Sequence, residues 1–155
     1  MNKIHEKYMR LSIALGKQAL QEGNSPVGSV IIHQDKVIGQ GIEAGKTAND
    51  VTYHAEILAI RDAIKNGHKD LLKDATLYTT HEPCIMCSYV IRHHKISHIV
   101  YGLPVDFIGG HSSKFDVLVT EEVPHWGHKP VTVGGVLLEE CAKLSDAFEQ
   151  NQKIT

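Results

Sequence analysis

Apolar residues in this chain recur at two different spacings, and the alternation between them lays out the secondary structure. Ala55, Ile57, Leu58, Ile60, Ala63 and Ile64 fall at helical intervals, which predicts an amphipathic helix over 54–66 stopped by Asn66-Gly67. Shorter runs have strand character: Val27–His33 and Val37–Ile42 flank a hairpin turn at Gln34-Asp35-Lys36, and two more fall at about 75–80 and 97–102. An opening helix runs from about Lys3 to Glu22 and ends at Gly23-Asn24, and a further helix covers 84–94. Past Tyr101-Gly102 the pattern weakens. A glycine-rich stretch leads to a short helix or turn at Ser113–Leu118. A loop with Pro124, Trp126, Gly127 and Pro130 follows, then a brief strand at Val131–Val133 and a last helix over Val136–Gln150. An initial hairpin followed by alternating helices and strands predicts an α/β fold, a three-layer α-β-α sandwich around a mixed five-stranded sheet. The chain reads as one domain, 1–155.

Composition narrows the class. At 155 residues, 42% hydrophobic and 22% charged, the chain has the make-up of a globular domain able to bury a proper core. No apolar run approaches the roughly 20 residues of a membrane span. The segment Met1–Glu6 lacks the apolar centre of a secretory signal. Three cysteines argue against a disulfide framework and for a reducing compartment, so the expected location is the cytoplasm.

The chemistry lies in two short stretches, His54-Ala55-Glu56 and Pro83-Cys84-Ile85-Met86-Cys87. One imidazole and two thiolates suit zinc, and three protein ligands leave its fourth position open to water. Both stretches open predicted helices, where the macrodipole favours anions. Glu56, two residues past the imidazole, is placed to carry protons rather than bind metal. A lone C-x-x-C is often a structural zinc knuckle or a redox pair, but neither needs a distant histidine and carboxylate. Cys141 could close the site as a fourth ligand, although its place on the inner face of the last helix suits an inert buried thiol. Zinc lowers the pKa of a bound water towards about 7, and a carboxylate acid–base partner completes a hydrolytic site.

H-x-E followed by P-C-x-x-C is the signature of the zinc nucleobase deaminases. The chain resembles the cytidine deaminase superfamily, in the branch of bacterial tRNA adenosine deaminase, guanine deaminase and fungal cytosine deaminase. The likeness runs from about Tyr8 to Phe148. Its landmarks are Ser25–Val30, His54–Ile57, Thr76–Thr80, Glu82–Cys87 and Gly135–Leu137. It implies one Zn2+ per subunit held by His54, Cys84 and Cys87, catalysis by Glu56, substrate contacts at Val27 and Ala55, and a homodimer.

Substrate choice rests on departures from that family. Its tRNA and guanine branches carry a substrate-contacting asparagine where this chain has Glu43, a pure acceptor when ionised. Glu43 is therefore expected to face a substrate N–H or a cation, or else to turn outwards or meet Lys46. Trp126 and Phe107 stand in loops that could close over a planar base. Nucleic-acid affinity rests on Lys and Arg, and here 16 of them stand against 18 acids, a net charge of −2. Only one basic residue lies in the tail Phe148–Thr155, and the loop Leu103–Ile108 lacks the Ala-Arg-Asp type of segment. The expectation is a small amino-heterocycle such as guanine or cytosine, with tRNA adenosine as the disfavoured alternative.

Overall fold

Asn2 starts the first helix. Its side-chain oxygen accepts from the Ile4 and His5 amides, and α1 (Lys3–Gln21) then runs until Gly23 takes a left-handed φ of 92°. The structure is a computed structural model describing residues 2–154. Met1 and Thr155, the outer ends of the segments read for a leader and a tail, lie outside the described residues.

Next come β1 (Gly28–His33), β2 (Lys36–Ile42), a short α2 (Gly45–Ala48) and α3 (Ala55–Lys65). They are followed by β3 (Thr76–His81), α4 (Ile85–His93), β4 (His98–Leu103), β5 (Val131–Val133) and α5 (Leu138–Ile154). The sheet order is β2-β1-β3-β4-β5. β1 pairs antiparallel with β2 and β3, while β3–β4 and β4–β5 are parallel, so the sheet is mixed as expected.

Period-two alternation divides the core in two. Ile31, Leu77 and Ile99 point to one face and meet Ala59, Ile60 and Ala63 of α3 and Ile91 of α4. Val30, Tyr78 and Val100 point to the other and meet Tyr8, Met9 and Ile13 of α1 and Cys141 of α5. Each fully buried Ile or Leu contributes about 1.5–3 kcal/mol to this sandwich. On β2 the face toward α3 is kept bare: a methyl group on Gly41 would overlap the Ala55 carbonyl, and one on Gly39 the Ala59 carbonyl. Backbone therefore packs on backbone where α3 begins.

Several boundaries differ from the sequence reading. The hairpin turn is two residues, Gln34-Asp35, both at positive φ (48° and 64°), and Lys36 already belongs to β2. That is the twist a tight hairpin requires. Residues 113–118 take the turn of the two forms expected there, with the Arg92 side chain donating to the Val117 carbonyl. Two 3-10 turns, Lys69–Asp74 and Pro124–Trp126, and the helix α2 carry too few residues to show a period. No described helix is long and apolar enough to cross a membrane.

Candidate active site

Sheet and helices bring the two signature stretches to one place. His54 is the N-cap of α3 and Cys84 the N-cap of α4, with Cys87 one turn further on. His54 Nδ1 lies 3.5 Å from Cys84 Sγ and 3.4 Å from Cys87 Sγ. A tetrahedral zinc with Zn–N near 2.05 Å and Zn–S near 2.3 Å requires N···S of about 3.6 Å. The three donors, all within 4.8 Å of one another, fit that ion. Cys141 is buried in the α1–α5 core against Gly102 and is not part of the group.

The three ligands hold one another's protons. The hydrogen bond with Cys84 lifts His54 to about 9 against the opposing effect of burial. The hydrogen bond from Cys87 draws Cys84 down to about 4, and the same bond, with burial, pushes Cys87 up. A thiolate beside an imidazole whose protons can leave is the state a divalent cation captures.

Glu56, fully enclosed in the first turn of α3, accepts from Thr79 Oγ1 (3.1 Å) and Ser29 Oγ (3.4 Å), which are themselves 2.9 Å apart. Burial first, and then the neighbouring Cys84, raise its pKa to about 7. A carboxyl group so poised can both take and give a proton near neutral pH.

These groups open into a cavity of about 170 Å³, lined also by Val27, Glu43, His81, Glu82, Val105 and Ile108. Glu43 lies at the cavity as expected, but neither Lys46 nor an open donor site holds its carboxylate. Its oxygens accept the Gly45 and Ala55 backbone N–H groups, at 3.2 and 3.1 Å, tying the β2–α2 loop to the start of α3. Burial raises the Glu43 pKa despite those donors. Ala55, expected to touch substrate, is fully buried next to His54 and does not line the cavity. Two residues named from the sequence stand apart. Trp126 packs under the Arg92 guanidinium (5.1 Å) and against Tyr89, and Phe107 projects into solvent at 84% exposure. Neither lines the cavity: Arg92 covers the indole face while donating to the Val117 and Thr120 carbonyls, and Phe107 stands out in solvent.

Five cavity residues were missed in the sequence, Ser25, His81, Glu82, Val105 and Ile108, and two of them are ionisable. His81 ends β3 on the same face as Thr79, a position that period-two counting could have found. Glu82 is the more surprising. Its carboxylate accepts from Val105 N (3.0 Å), His111 N (2.8 Å), Ser112 N (2.6 Å) and Ser112 Oγ (2.6 Å). Burial alone would raise its pKa, and these donors outweigh that and hold it below the usual range. Glu82 thereby folds the loop after β4 over the cavity, with Gly109 bridging to Cys84 and Gly110 N donating to the Pro83 carbonyl.

Residues 2–103 match the family model described as the cytidine and deoxycytidylate deaminase zinc-binding region. A tRNA-specific adenosine deaminase of Haemophilus influenzae is 34% identical over 154 residues, 98% of this chain and 87% of that protein. One from Streptococcus pyogenes is 32% identical over 91% of this chain and 87% of its own length. A solved structure from studies of A-to-I editing by tRNA:A34 deaminases at the wobble position superposes with a TM-score of 0.80 at 30% identity, covering 89% of this chain and 98% of that one.

These relatives correct the expectation of a small free heterocycle with tRNA disfavoured. Their named substrate is adenosine in tRNA, and the likeness extends over most of both chains. The charge argument failed because net charge averages over the whole surface. Lys69, Lys73, Lys95, His93 and His94, against Asp70 alone, surround one surface cavity of about 280 Å³.

Proposed function

Because the chain belongs to the family of the cytidine and deoxycytidylate deaminase zinc-binding region, we propose that this zinc-dependent deaminase converts adenosine to inosine in a tRNA anticodon loop. The observation that carries the substrate half of this reading is the 34% identity spanning 98% of this chain with a tRNA-specific adenosine deaminase. The chain acts as one catalytic domain over 1–155. His54, Cys84 and Cys87 hold the metal, and Zn2+ bound there would act as a Lewis acid, making a water molecule nucleophilic at neutral pH.

The remaining steps fall to side chains. Glu56, poised near 7 by burial, takes a proton from the attacking water and passes it to the ring nitrogen. It then takes the proton of the hydroxyl now bonded to C6 and hands it to the amino group, which leaves as ammonia while the ring carbon becomes a carbonyl. Thr79 and Ser29 fix the carboxyl group for both transfers through Oε1, leaving its other oxygen free of them. Glu43 orients the Ala55 backbone beside the ligand histidine, and Val27 forms part of the apolar wall that a purine would touch.

A homodimer belongs to the same proposal, supported by the half-exposed Tyr89 on α4, which stacks on His93 and meets Trp126 edge-on, and so does a cytoplasmic location, supported by the free cysteines. The test uses zinc-loaded protein with an anticodon stem-loop bearing adenosine at the wobble position. Inosine is read by nuclease digestion and mass spectrometry, and ammonia release from guanine, cytosine and free adenosine is measured in parallel. Inosine in the stem-loop is the expected result. Turnover of a free base without it would overturn the reading.

A further inference from the structure

Strand β3 hands its side chains alternately to the two faces of the sheet. Tyr78 and Thr80 go to the α1 side, where Thr80 Oγ1 donates to the Pro26 carbonyl. Leu77, Thr79 and His81 go to the side covered by α3 and α4, and each meets a different depth of it. Leu77 is in the apolar core, Thr79 touches the Glu56 carboxyl group, and His81, the last residue of the strand, lines the cavity.

The other ionisable groups around this cavity are already engaged. Glu43 is held by two backbone N–H groups, Glu56 by two hydroxyls, Glu82 by four donors, and His54 by the two cysteines. His81 is the exception. It is partly buried and, among the described residues, has no hydrogen-bond partner in the protein. It also lies outside the group of ligand atoms close enough to share a metal. A half-enclosed imidazole without a partner has lost much of its water and gained nothing in return, a cost that a ligand can repay.

We propose that His81 is a specificity residue of this deaminase, its imidazole hydrogen-bonding the target purine nucleotide inside the cavity. The proposal rests on the adenosine reading above and adds a recognition contact to it. Burial keeps the ring neutral, so it offers one N–H donor and one ring-nitrogen acceptor. That pair can read both kinds of group on a nucleobase edge, whereas an ionised carboxylate offers acceptors alone. The contact is one of binding and orientation, and no bond is made or broken at His81.

The test compares wild type, H81L and H81N, each checked for zinc content and melting temperature. H81N keeps a donor and an acceptor in a smaller side chain. On the anticodon stem-loop, H81L should lose tenfold or more in kcat/KM with zinc content unchanged, and H81N should recover at least threefold of that loss. Purine riboside, which carries the ring without the amino group, is titrated in parallel and should bind wild type at least tenfold more tightly than H81L. Stem-loop conversion by H81L within twofold of wild type overturns the role of His81 and leaves the tRNA reading standing. A wild type that converts no stem-loop but discriminates purine riboside through His81 overturns the tRNA reading and keeps the contact. Equal riboside affinity in the two proteins, or none in wild type, removes the contact.

Discussion

Glu82→Gln tests whether one carboxylate folds the loop that walls the cavity. The less costly orientation of the new amide puts its nitrogen at the Oε1 position, where Ser112 Oγ can turn round to accept. The Val105 N–H then faces a donor and loses its bond, while the His111 and Ser112 amides keep a neutral acceptor in place of a charged one. A hydrogen bond to a charged group contributes about 1.5–3 kcal/mol and a neutral one about 0.5–1.5 kcal/mol. One bond lost and three weakened by about 1–1.5 kcal/mol each therefore come to about 4.5–7.5 kcal/mol, and water reaching the half-exposed amides returns part of it. About 3 kcal/mol should remain, a factor of about 100 in loop opening. Hydrogen exchange read by mass spectrometry on peptides covering 104–115 should show that increase, with the sheet amides unchanged. kcat/KM should fall with it, since Val105 and Ile108 leave the cavity wall. Gly109→Ala should act in the same direction, because its methyl would overlap the Glu82 carboxylate. Protection within threefold of wild type in Glu82→Gln would refute the reasoning.

Other outcomes follow from the same geometry. Glu56→Ala should retain zinc, by elemental analysis, and lose turnover by about 10²–10⁴-fold, the usual share of a general acid–base group. Activity equal to wild type in that metal-replete protein would remove Glu56 from the mechanism. Cys87→Ser should drop zinc below one equivalent after dialysis against a mild chelator and lower the melting temperature, whereas Cys141→Ser should keep its zinc. Burial depresses His81 from 6.5 to about 4, so the unfolded chain binds that proton first as pH falls. Its contribution is complete above pH 6.5 and is lost as pH falls through about 4. Wild type should therefore lose stability relative to His81→Leu by about 1.4 kcal/mol per pH unit inside that window, at most about 3 kcal/mol in total. Parallel melting curves for the two proteins over pH 4–7 would contradict this.

The elements most legible in the sequence were those whose cause is local. The amphipathic spacing of Ala55–Ile64, the glycine at position 23 and the apolar run at 75–79 each carry their own instruction, and the helices and strands stand where those cues put them. The His54 and Cys84 caps were legible for the same reason, as each opens a helix the pattern had already marked. The loop after β4 was illegible because its fold is written in Glu82, some 20–30 positions upstream, and not in its own residues. Trp126 was misplaced because its partner, Arg92, lies on a helix more than 30 positions away. Substrate choice was misread from a sum of charges, a quantity that carries no positions.

Gly39 and Gly41 set a limit that no motif records. At these two positions main chain lies directly on main chain, and no rotamer stands there between strand β2 and the helix that carries His54 and Glu56. Side-chain adjustment can absorb an error elsewhere in the core, but not there. The two elements therefore behave as one indivisible part for anyone recombining this enzyme with a relative. A crossover placed inside 36–65 would pair a strand and a helix never fitted to each other, whereas one beyond Gly102 exchanges the pocket wall and leaves the reaction centre whole.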